Sequence, residues 1–173
     1  MKSLKTYSIP FTGLKLGKHV FEYDITDDFF SEFEYSLVKK ANLKCVVELE
    51  KQETMMILNF DIKGTVNVTC DTCLTEFPKY LEITEQQITR FSEEEITDDD
   101  EIITLGKNDH EIDIAGLIYE YVTVAVPFIN NCSDAGDDRE CDTEMLDKLK
   151  KLQANDEQEE KADPRWDALK KLK

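Results

Sequence analysis

The chain has 173 residues, enough for one domain with a sizeable core or for a smaller domain and a tail. Its net charge of −17 is uneven: residues 1–92 carry 11 Lys/Arg against 14 Asp/Glu, whereas residues 93–173 carry 10 against 24. Phosphate repels so acidic a chain, so RNA contact needs a local basic patch, and a basic protein is the easier partner. With no apolar run of about 18 residues, no secretory leader and five cysteines, we expect a cytoplasmic protein without a membrane span.

The first third of the chain contains two predicted strands and a helix. Residues 5–9 and His19–Ile25 alternate between apolar and polar positions, which predicts strands. Acidic residues then precede Phe29, Phe30 and Phe33 at helical spacing. Thr26 or Asp27 is suited to cap this segment, so we predict a short helix near 27–36.

The alternation continues almost unbroken from Leu43 to Phe91, interrupted only by turn residues. It predicts three long strands in an antiparallel meander, with Gly64 a candidate for a kink or bulge. Seven acidic residues in 93–101 predict a solvated loop, and 102–105 is a candidate short strand.

A second helix is predicted near 114–126, ending before Pro127 and covering the sheet, although the β-branched residues also allow a strand. The predicted fold class is α+β: an antiparallel β-meander sheet with a few packed helices and a flexible acidic C-terminal tail. The predicted β domain covers 1–130, and 131–173 is predicted to form an acidic linker and helical tail.

The tail ends in the sequence DPRWDALKKLK, a basic patch of net +2 in an acidic half. Asp163 and Pro164 are typical of a helix start, and a lone Trp there is either the end of a core helix or an anchor for a partner. Under the second alternative, the predicted binding residues are Arg165, Trp166, Leu169, Lys170 and Lys171.

Cys70 and Cys73 form a C-x-x-C pair in a predicted turn, the spacing of half a zinc site. Cys132 and Cys141 are candidate partners, but eight intervening residues are not the spacing of a second zinc knuckle. We therefore expect no stoichiometric zinc and no other cofactor. Zinc binding, thiol redox chemistry and reduced packing residues remain the alternatives for the pair. No catalytic motif or small-molecule substrate site is evident, and we expect no enzymatic activity.

Two motifs make the chain resemble the YceD family of bacterial proteins. The first is Val68-x-Cys70-x-x-Cys73-Leu74-x-x-Phe77, and the second is the ending Asp163-Pro164-Arg165-Trp166 with Leu169 and Leu172. The resemblance implies a non-catalytic ribosome biogenesis factor that supports accumulation of the large-subunit (23S) ribosomal RNA. Its expected partner is a ribosomal protein or a pre-ribosomal large subunit. The alternative is a zinc- or thiol-dependent regulatory binding module.

Overall fold

The computed structural model describes residues 4–92, 102–106, 108–135 and 139–152. Within these ranges the chain forms seven strands, three α-helices and two short 3-10 turns at Leu4–Tyr7 and Cys132–Ala135. The strands and helices, in chain order, are β1 (Ser8–Pro10), β2 (Gly17–Thr26), α1 (Asp27–Ser31), β3 (Ala41–Lys51), β4 (Met55–Thr69), β5 (Glu76–Phe91), β6 (Ile102–Leu105), β7 (Glu111–Asp113), α2 (Ala115–Ala125) and α3 (Thr143–Leu152).

A five-stranded sheet in the order β2-β3-β4-β5-β6 forms the centre of the fold. The first three pairings are antiparallel, which confirms the predicted α+β class and the meander. The short β6 runs parallel to β5 and so departs from the meander. None of the helices in the described ranges is long and apolar enough to span a bilayer.

One face of the sheet is buried because apolar residues recur at alternate positions of β3 and β4. In β4 the inward side chains of Met56, Leu58, Phe60 and Ile62 are completely buried. Helix α2 packs here, and its Tyr121 ring meets Phe60 edge-on at 5.3 Å. The second helix, predicted near 114–126, is confirmed, and the alternative of a strand there is excluded.

Gly64 lies within β4 and pairs with Leu43 on one side and Leu81 on the other. The expectation of a bulge is wrong, because no residue is inserted and the register runs unbroken through this point. The glycine is nevertheless required: its φ is +146°, and a Cβ there would overlap the carbonyl oxygen of Asn42 and lie 2.8 Å from the Cα of Leu43.

Two predicted boundaries near the N-terminus are wrong. Helix α1 ends at Ser31, because the N–H groups that follow bond to carbonyls three residues back and the chain continues as tight turns. The Phe33 N–H, for example, bonds to the Phe30 carbonyl at 3.2 Å. These turns place the Phe33 ring in a stack on Tyr119, with centroids 4.0 Å apart. Most of the strand predicted at 5–9 is a 3-10 turn, because Tyr7 turns inward to pack on Phe29.

Helix α3 has an acidic residue, Glu144, in its first turn and Lys150 and Lys151 in its last turn. Its start is capped by Asp142, whose carboxylate accepts a 2.9 Å bond from the Glu144 N–H. The acidic loop 93–101 and the tail from residue 153 lie outside the described residues. The predicted binding residues Arg165, Trp166, Leu169, Lys170 and Lys171 belong to that tail.

Candidate metal centre

The C-x-x-C pair lies in the tight turn that joins β4 to β5, at the tip of the long hairpin. The Leu74 N–H bonds to the Cys70 carbonyl at 2.9 Å, and the Cys70 N–H bonds to the Thr75 carbonyl at 3.0 Å. Leu74 takes a φ of 63°, the left-handed region that an L residue occupies at a cost of about 1–2 kcal/mol. This closed turn brings both thiols to the inner side of the tip, where each is almost completely buried.

A second segment crosses the tip and is clasped to it by reciprocal hydrogen bonds. The Asp71 N–H donates to the Asn130 carbonyl at 2.8 Å, and the Asn130 N–H donates to the Asp71 carboxylate at 2.7 Å. The 3-10 turn that follows begins with the buried Cys132. Cys141 lies two residues before Thr143, the first residue of α3, and it is partly buried. Both later cysteines are thereby brought to the C-x-x-C turn.

The four sulfur atoms of Cys70, Cys73, Cys132 and Cys141 all lie within 4.8 Å of one another. Cys73 and Cys132 are 3.4 Å apart, and Cys70 and Cys141 are 3.8 Å apart. Four sulfurs each about 2.3 Å from one zinc ion stand about 3.8 Å from one another at the corners of a tetrahedron. The cluster therefore has the ligand number, ligand type and spacing of a single four-thiolate metal site.

Hydrogen bonding prepares the two turn thiols for deprotonation. The Thr75 hydroxyl, and then the N–H groups of Thr75 and Asp142, lower the pKa of Cys73 to about 6. Burial raises the pKa of Cys70, but bonds from the Cys73 and Thr72 N–H groups outweigh it, so the net shift is also downward. Backbone N–H groups that point at a sulfur stabilise the thiolate, which is the form that binds metal.

The other two thiols have the opposite tendency. Burial, followed by bonding to Cys73, raises the pKa of Cys132, and burial also leads the upward shift of Cys141. Without a cation, gathering four thiolates in one buried place is unfavourable, because like charges repel. A bound dication reverses that balance and releases the protons.

Thiol redox chemistry of the thioredoxin type fits the turn less well. A low-pKa redox cysteine of that type starts a helix, whereas Cys70 and Cys73 lie between two strands. All five cysteines are free thiols in the structure. Cys45 lies apart from the cluster in the buried face of β3, where burial raises the pKa of its thiol to about 12.

The prediction from C-x-x-C spacing was right to single out Cys70 and Cys73, but it gave the other two cysteines too little weight. Its premise, that eight intervening residues separate Cys132 and Cys141 too widely, is wrong. The clasp at Asp71 and Asn130 and the 3-10 turn decide where these side chains lie, so their separation in sequence is a poor guide. Nothing here tests the expectation of no stoichiometric zinc, but the geometry of the cluster removes the premise on which that expectation rested.

A family model described as Large ribosomal RNA subunit accumulation protein YceD matches residues 58–173. The match includes β4 from Leu58 onward, the C-x-x-C turn, all four cysteines of the cluster and the C-terminal tail. No curated protein and no solved structure matches the chain.

Proposed function

The chain belongs to the YceD family, and from that membership we propose that it is a non-catalytic factor that supports accumulation of the large-subunit (23S) ribosomal RNA. The observation that carries the proposal is the family match over 58–173. We infer that the protein acts by binding a ribosomal protein or a pre-ribosomal particle in the cytoplasm. Its net charge of −17 supports a basic protein as the direct contact, because an acidic surface attracts Lys- and Arg-rich proteins and repels RNA.

Depletion of the protein tests this function directly. We expect the ratio of large- to small-subunit ribosomal RNA to fall on depletion and to recover when the wild-type chain is restored. Affinity purification of the chain with and without ribonuclease then separates contact through protein from contact through RNA. An unchanged ratio after complete depletion would contradict the proposed function.

We further propose that the four-cysteine cluster binds one structural zinc ion. Four soft sulfur ligands at tetrahedral spacing favour zinc over the harder Mg²⁺ or Ca²⁺. Four thiolates complete the tetrahedral coordination of zinc, so the site would be structural and not catalytic. The ion would connect the hairpin tip to the segment that leads into α3. A zinc- or thiol-dependent regulatory module is the second candidate function, and the same cluster is the observation that favours it.

Elemental analysis of the protein purified under reducing conditions tests the zinc site. We expect about one zinc per chain, falling to about a tenth or less when Cys70→Ser and Cys73→Ser remove two of the four ligands. Cys45→Ala is the matched control, since it removes a buried thiol outside the cluster and should retain the metal. A metal-free wild-type protein, or equal zinc in the double variant, would show that the cluster does not hold the ion and would contradict the proposed site.

We propose that the C-terminal residues Arg165, Trp166, Leu169, Lys170 and Lys171 form a second partner contact. Trp and Arg often dominate interfaces, and the basic end suits a phosphate-rich surface. Alanine is the only apolar residue type in the linker between Leu152 and Asp163, so this linker has little to contribute to a core.

A chain that ends at Leu152 distinguishes partner binding from core docking. We expect its free energy of unfolding to stay within about 0.5 kcal/mol of the full-length value while partner recovery falls, because the tail contributes to binding and not to the core. Trp166→Ala in the full chain should behave in the same way. Loss of a core tryptophan would instead cost about 3–5 kcal/mol, so a drop of that size with unchanged partner recovery rejects this role.

A further inference from the structure

A groove of about 440 Å³ opens where the end of α2 passes the end of β4. Its apolar lining comes from Leu37, Val68, Val126, Pro127 and Phe128, joined by a few Asn and Thr side chains. None of the described residues that line it is charged, although charged residues make up 34% of the chain. An uncharged concave surface on so acidic a protein is suited to apolar side chains of a partner.

The rim of the groove exposes large apolar side chains. Phe128 is 98% exposed and Leu37 is 85% exposed, while Val124 and Ile129, which flank the lining residues in the chain, are also exposed. Single exposed apolar residues are common on protein surfaces, but several around one apolar groove mark an interaction site. An aromatic ring beside a pocket is the usual form of an interface anchor.

The groove is already formed without a partner. The Asn130 side-chain amide donates to the Pro127 carbonyl at 2.8 Å, and the Asp71 carboxylate accepts from the Asn130 N–H. On the opposite wall the Asn67 N–H bonds to the Lys40 carbonyl at 2.9 Å. A preformed wall lowers the conformational entropy lost on binding. The four-cysteine cluster lies beside the same clasp, so metal binding would help to hold the Phe128 wall.

Two lysines next to the groove are already paired, and this pairing favours a protein over RNA as the partner. Lys40 is paired with Glu76 at 3.1 Å, and Lys79 bonds to Asn130 and lies 3.7 Å from Asp134. RNA binding depends on cations that displace counterions from phosphate, and these two are already engaged with carboxylates. The overall charge of −17 instead attracts a partner rich in Lys and Arg.

We propose that this groove is the docking site for an apolar segment of a basic large-subunit ribosomal protein. Apolar side chains of the partner occupy the groove around Phe128 and Leu37, and the net negative charge of the chain attracts its Lys and Arg residues. The inference rests on the proposed function and adds the contact surface and the chemistry of the partner. It is independent of the tail, which is a separate contact.

Site-specific photo-crosslinking tests the assignment of the partner. The full-length chain with benzoylphenylalanine in place of Phe128 is irradiated with proteins extracted from purified large ribosomal subunits, and separately with protein-free large-subunit RNA. We expect a ribonuclease-resistant adduct with one basic ribosomal protein and none with RNA. The same probe in place of Leu16 is the control. Leu16 is exposed and precedes Gly17, which pairs with Lys51 at the end of β3 that is remote from the groove. An adduct with RNA alone, with the chain's own tail or with a second copy, or no adduct, overturns the proposal.

Substitutions measure the contribution of the groove to binding. Phe128→Ser with Leu37→Ser should weaken binding to the captured protein at least about 10-fold, whereas Leu16→Ser should leave it unchanged. The unfolding midpoint should not change, since both side chains are exposed. In depleted cells, full rescue of the RNA ratio by this double variant rejects the groove as the docking site and leaves the proposed function intact. A ratio that depletion never changed rejects the proposed function itself.

Discussion

Gly64→Ala is expected to lower the free energy of unfolding by about 3–5 kcal/mol, or to prevent folding at 25 °C. The φ of +146° is strained for any residue with a Cβ, and the added methyl group would meet the backbone of Asn42 and Leu43 rather than a flexible side chain. Gly64 is in the middle strand of the sheet, so β3 would have to move away to make room. Urea denaturation of the two proteins measures the difference.

Gly116→Ala is the matched control for that change. Gly116 lies in the first turn of α2, and apart from its chain neighbours and the backbone of its own helix no atom lies within 4 Å of the position where a Cβ would stand. Alanine is a better helix former than glycine, so this variant should be equal to the wild type or more stable by up to about 1 kcal/mol. If both alanine variants unfold at the wild-type urea concentration, the close approach of β3 at Gly64 is not a constraint on the fold.

Ile118→Ala in α2 is expected to lower the free energy of unfolding by about 2–5 kcal/mol. The Ile118 side chain is completely buried between the helix and the sheet, so its loss leaves a cavity that the long strands cannot close. The measurement is again a urea denaturation curve, with zinc and reductant held constant so that the metal site does not contribute to the difference.

Val124→Ala, in the same helix, provides the comparison. Val124 is 78% exposed, and its truncation should change the free energy of unfolding by no more than about 0.5 kcal/mol. Equal effects of the two truncations would show that α2 does not cover the sheet through Ile118, and would contradict the packing described above.

The long strands were predictable because their alternation is local information. Buried positions of β3, β4 and β5 alternate with half-buried or exposed ones along the sequence, and this period of two is read without knowledge of the partner strand. The same applies to α2, whose apolar spacing predicted the helix within one residue at each end. The end of α1 and the turn at Tyr7 were missed because aromatic packing on distant residues, Tyr119 and Phe29, decides them.

The same distinction between local sequence and long-range contacts applies to the cysteine cluster. The sequence by itself determined the C-x-x-C turn, because two thiols three positions apart between strands can share one ligand-binding turn. Only the tertiary structure decided that Cys132 and Cys141 complete the set. Those two positions depend on the hairpin tip meeting the Asn130 segment, a contact between residues 59 positions apart in the chain. Side-chain periodicity reports which face a residue shares with its near neighbours, and it contains no information about which distant segments the folded sheet brings together.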